Sequence, residues 1–186
     1  IDTALKTAGL KDEKHEDVQG QLHHQLRGTD AASLEEIKKV VGNLRINIEA
    51  KFSAGLPNSP MHGADISTVS GNYVIAKPFG VHNGVDYQHT GEVRKVDGDE
   101  ITRHLDSGKT VLQSNLGYSP SGEIFNLKVE DIAASIAIAL SADKLLIYSA
   151  ESGILDDDDE AISQLSAEEA QTLVQEKIAS NGLDQQ

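Results

Sequence analysis

The sequence predicts an α/β fold with a mostly parallel sheet covered by helices. Two observations carry this expectation. The first is the stretch 126–149, where an alanine-rich helix with an apolar stripe at Ile132, Ile136, Ala139 and Leu140 runs almost directly into the apolar segment Lys144–Tyr148. A helix feeding an apolar strand is the second half of a βαβ unit. The second is the order of the remaining segments, in which helical and apolar strand patterns alternate. With no Trp and only 4% aromatic residues, the core must be built from Ile, Leu, Val and Ala.

In chain order, residues 1–26 are polar, with a weak helical start at Thr3–Ala8 stopped by Gly9. His15, His23 and His24 fall here. Adjacent histidines cannot share one helix face, and no carboxylate stands at metal-ligand spacing, so they read as surface residues. Residues 31–53 read as the first strong helix, opened by the capping box Ser33-Leu34-Glu35-Glu36. Leu34, Ile37, Val41, Leu44 and Ile48 recur at steps of three and four and define its apolar face. Gly55, Pro57, Asn58 and Pro60 then end it.

Residues 64–113 read mainly as β structure, with Ile66–Val69, Tyr73–Lys77 and Glu92–Val96 as short strands and Gly71-Asn72 as a turn. Gly80–Gly91 is a polar loop, Asp97–Leu105 a short helix and Thr110–Gln113 a buried strand. Ser166-Ala167-Glu168-Glu169 is a second capping box, opening a helix to about Ile178.

Bulk properties exclude several functions. A length of 186 residues suits one domain, or one domain with a small appendage. The net charge of −14 disfavours nucleic acid and anionic membranes, both of which select Lys/Arg-rich faces. Ten acidic residues against the single Lys177 between Glu151 and Gln186 supply most of it, and they read as a solvated surface. With no cysteine, disulfides, thiolate metal sites and Cys nucleophiles are excluded, and a reducing cytoplasm fits. No run of 18 apolar residues exists to span a membrane. The start at Ile1, without a signal-peptide pattern, reads as a trimmed or partly observed chain.

Catalytic motifs are scarce. The sixteen glycines never fall adjacent or two apart, so the usual phosphate cradle is missing. There is no Gly-x-Ser-x-Gly and no His-Glu-x-x-His. Glu130-Asp131 could act as paired carboxylates or simply complement a helix N-terminus. No catalytic residue and no metal ligand is assigned. Two spots remain. Arg27 in Arg27-Gly28-Thr29-Asp30 could grip a carboxylate bidentately or form a surface ion pair. Asn126 in Asn126–Asp131 could touch a ligand or cap the helix that follows.

In this order the two spots resemble the motifs of acetylglutamate kinases and N-acetylglutamate synthases. Arg27-Gly28-Thr29-Asp30 with Leu34-Glu35 is similar to their Arg-x-Thr-Asp-plus-helix pattern. Asn126–Asp131 followed by Ala142-Asp143-Lys144-Leu145-Leu146 is similar to their Asn-x-Asn-Ala-Asp helix and strand entry. The bacterial synthases are the nearer match, through Val69-Ser70-Gly71-Asn72-Tyr73, Gly84-Val85-Asp86-Tyr87, Leu105-Asp106-Ser107-Gly108 and Ser121-Gly122-Glu123 with Phe125-Asn126-Leu127.

The resemblance implies a three-layer αβα sandwich of the amino-acid-kinase (carbamate-kinase-like) type. It also implies an incomplete one, lacking the glycine-rich first strand and loop and the later part that builds an arginine pocket. Residues 1–186 would then be part of the regulatory domain of a synthase that acetylates L-glutamate from acetyl-CoA in the first step of arginine biosynthesis. L-arginine would be its effector, the acetyltransferase domain would lie outside this chain, and the fragment alone would be inactive and need no cofactor. Assembly into homo-oligomers is common in the family. In the kinases the motif Arg and Asn hold the amino-acid substrate, roles that would fall to Arg27 and Asn126 as a vestigial site. The kinase-type Asp is replaced by Glu130, the second Asn by Lys128, and Thr-Asp-Val by Ser149-Ala150-Glu151. Phosphoryl transfer depends on positioning, so these departures favour the synthase over the alternative, a kinase fragment phosphorylating N-acetyl-L-glutamate with ATP.

Overall fold

The computed structural model describes residues 28–54, 63, 66–82, 84–148, 162 and 164–183, with 176–183 described as backbone only. These residues fall into two compact units, one up to Leu145 and the other from Leu146 onward.

The first helix of this unit among the described residues is α1, Ala31–Ser53. Its N-cap is Asp30, whose carboxylate accepts from the Ser33 backbone N–H at 2.7 Å. The sequence places the cap at Ser33; the helix in fact begins a turn earlier, because Asp30 lies in extended backbone and satisfies the orphan donor itself. Leu34 and Ile37 are buried, whereas Leu44 and Ile46 are each 56% exposed, so only the first half of the helix is packed. Exposed Glu35–Lys38 and Glu36–Lys39 pairs line its outer side.

Among the described residues eight short strands follow: β1 Thr68–Val69, β2 Val74–Pro78, β3 Val81–His82, β4 Val85–Asp86, β5 Gly91–Val96, β6 Thr110–Val111, β7 Leu116–Tyr118 and β8 Ile124–Asn126. The main sheet has the order β5-β2-β7-β8. β2 runs parallel to β7 and antiparallel to β5, and β7 is antiparallel to β8. β1 and β6 form a separate parallel pair, joined in sequence through β5 and the helix α2, Gly98–Asp106. The sheet structure is therefore mixed, where helix–strand alternation predicts mostly parallel pairing. The reason is local: β7 and β8 are joined by a tight turn in which Gly122 takes φ +89°, and such a connection allows only antiparallel neighbours. The polar loop at 80–91 also carries structure, the β3–β4 hairpin, over which Phe79, His82 and Tyr87 stack.

Strand alternation sorts side chains into two layers. Leu116 and Ile124 pack with Leu34, Ile37 and Val41 of α1. Val74, Ala76, Phe125 and Leu127 pack with Ile132 and Ile136 of α3, Val129–Ala139. Helix, sheet and helix thus form the layers of an αβα sandwich. Gly117 is required where those layers meet the sheet, since a Cβ there would lie 2.4 Å from Leu127 and 2.8 Å from Ala76.

Lys144–Tyr148 departs from expectation. It joins no ladder among the described residues, and Leu146, Ile147 and Tyr148 are 72%, 64% and 94% exposed. An apolar run becomes a strand only where a neighbour offers N–H and C=O groups in register, and no described strand does so here. In the second unit, α4 spans Ala167–Leu183. The capping box holds as read: Ser166 N–H donates to Glu169 at 2.7 Å, and Glu169 N–H donates to Ser166 Oγ at 3.2 Å. No helix among the described residues is long and apolar enough to cross a membrane.

Candidate functional site

Four neutral side chains meet at the C-terminal end of β8. Asn126 is the last residue of that strand, so it does not cap α3; the N-cap is Lys128, which makes no side-chain cap bond. Glu130 and Asp131 sit in the first turn of α3, where they complement the helix dipole. The Asn126 side chain turns away from the helix. Its Nδ2 donates to Thr29 Oγ1 at 3.0 Å, and its Oδ1 accepts from Asn115 Nδ2 at 2.7 Å. Thr90 Oγ1 donates to the same Thr29 hydroxyl at 3.1 Å.

Backbone bonds build the frame for this seam. His89 N–H donates to Thr29 C=O at 2.9 Å, Asn126 N–H to His89 C=O at 2.8 Å, and Leu127 N–H to Asn115 C=O at 2.8 Å. The hairpin end is set by Gln88, which takes a left-handed φ of 48° while its N–H donates to Asp86 Oδ1 at 2.9 Å. That conformation costs a non-glycine residue about 1 kcal/mol, and the turn at Asp86 offsets it. Thr29, Thr90 and Asn115 are buried and Asn126 is half-buried. None of the four titrates, so the seam can bind and orient a ligand but offers no general acid or base.

Of the two residues the sequence singles out, Asn126 is therefore placed in a polar cluster, while Arg27 lies outside the described residues. Its motif is represented by Thr29, bonded to Asn126, and by Asp30, the cap of α1. The two motifs, 97 positions apart, meet in one hydrogen bond. Thr90 and Asn115 escape a sequence reading, because each is a single polar residue with no spacing to mark it. Asn115 also borders an apolar cavity of about 850 Å3 between α1 and α3, lined by Val41, Leu44, Leu116, Ile132 and Ile136. No group of three or more His, Cys, Asp or Glu that could hold a metal ion occurs among the described residues.

A sequence profile described as the amino acid kinase family matches residues 2–185. The chain belongs to the amino acid kinase family. Within it, the chain is 49% identical over 181 residues to an amino-acid acetyltransferase of Pseudomonas fluorescens, covering 97% of this chain and 40% of that protein. Among solved structures, it is similar to N-acetylglutamate synthase from Neisseria gonorrhoeae complexed with coenzyme A and L-arginine. That match has a TM-score of 0.79 and 31% identity, and covers 96% of this chain and 42% of the other. The same enzyme complexed with coenzyme A and N-acetyl-glutamate matches at a TM-score of 0.77 and 32% identity, covering 96% and 40%. The chain thus spans about two-fifths of the length of these relatives. The αβα sandwich expected from the family is the fold observed, with its sheet mixed rather than mostly parallel.

Proposed function

We propose that the protein carrying this chain is an N-acetylglutamate synthase. It moves the acetyl group from the sulfur of acetyl-CoA to the α-amine of L-glutamate, releasing free coenzyme A. Residues 1–186 belong to the regulatory domain through which L-arginine acts, and the acetyltransferase domain lies elsewhere in the protein. The observation that carries this reading is the similarity over 97% of the chain to an amino-acid acetyltransferase. The site agrees with it. Lys128 stands where the kinases have a second Asn and makes no side-chain cap bond, and Glu130 lies in the α3 first turn in place of their Asp. Arg27 and Asn126 form a vestigial amino-acid site, with Thr29 tying the two motifs together. The protein acts as a homo-oligomer in the cytoplasm and binds neither nucleic acid nor membrane, which its charge of −14 and lack of cysteine fit.

The test is an assay of the full-length protein with acetyl-CoA and L-glutamate, following release of the coenzyme A thiol. Acetyl transfer that falls on adding L-arginine is expected. ADP release from ATP with N-acetyl-L-glutamate, without thiol release, would overturn the reading in favour of an acetylglutamate kinase.

A further inference from the structure

We draw no further inference here: the strongest candidate, the apolar cavity of about 850 Å3 between α1 and α3, lined in part by Gln113, whose buried Oε1 has no hydrogen-bond partner among the described residues, carries nothing because no feature of the structure shows what covers it.

Discussion

Val74–Pro78 and Lys144–Tyr148 are both five-residue runs rich in apolar side chains, and they end in opposite situations. The first is β2, flanked by β5 and β7, with Val74 and Ala76 almost fully buried at 0% and 1% exposure. The second carries the more hydrophobic sequence and leaves Ile147 64% exposed. Burial of a strand is thus a property of its neighbours as much as of its own composition. Each backbone N–H and C=O withdrawn from water must find a partner, and β2 has partners on both edges. β5 supplies five paired positions to β2, even across a register shift between Ile75 and Ala76.

Substitutions can break this contrast. The largest effect is expected at Phe125, which is 3% exposed and packs in the cluster that includes Val74 and Ala76. Phe125→Ala should lower stability by about 4 kcal/mol in urea unfolding, through lost burial and a cavity the layer cannot close. Gly117→Val comes next. Its Cβ would lie 2.4 Å from Leu127, and a loss of about 3 kcal/mol is expected from overpacking between the sheet and α3. Both figures concern the paired half of the contrast. In the exposed run, Ile147→Ala should change stability by less than about 0.5 kcal/mol. A cost of several kcal/mol there would mean that the run is as deeply buried as β2.

The smallest effect concerns α4, which is held at its start by a reciprocal cap in place of a ladder. The Ser166 backbone N–H, and after it the Ser166 hydroxyl, keep the Glu169 carboxyl below the ordinary glutamate value. A group with a depressed folded-state value stabilises fully above its unfolded value and loses that contribution as pH falls through the folded one. An NMR titration of the Glu169 side chain should therefore show a midpoint below that of an unstructured glutamate. Ser166→Ala removes the hydroxyl but keeps the backbone N–H, so it should move the midpoint up only part of the way, and an unmoved midpoint would remove the hydroxyl as a cause.

The helices were the legible part of this fold. α1 and α2 are specified by apolar spacing and by polar residues at their starts, signals that act within a turn or two of chain. β2 and β5 were legible for a similar reason, as short apolar runs set off by turn residues. β7 and β8 were not. Each is three residues long, one contains Gly117 and the other ends in Asn126, and only the flanking strands make them a sheet. At the site, Asn126 was visible as a residue of interest, but its local sequence favoured a helix cap over a ligand contact. The cap is excluded by its place at the end of β8, where its side chain bonds Thr29 and Asn115, the first of them 97 positions away. Arg27 was equally visible, and its placement lies outside the described residues.

The long reach of the Thr29–Asn126 bond has a kinetic corollary. The seam draws on residues near 29, 88–90, 115 and 126, so its last hydrogen bond closes a loop of nearly a hundred residues. Such closure is entropically costly and is rewarded only after the intervening strands have docked. The seam should therefore be among the final parts of the first unit to assemble during refolding. A probe placed there would act as a clock for completed folding, lagging behind any signal from the helices.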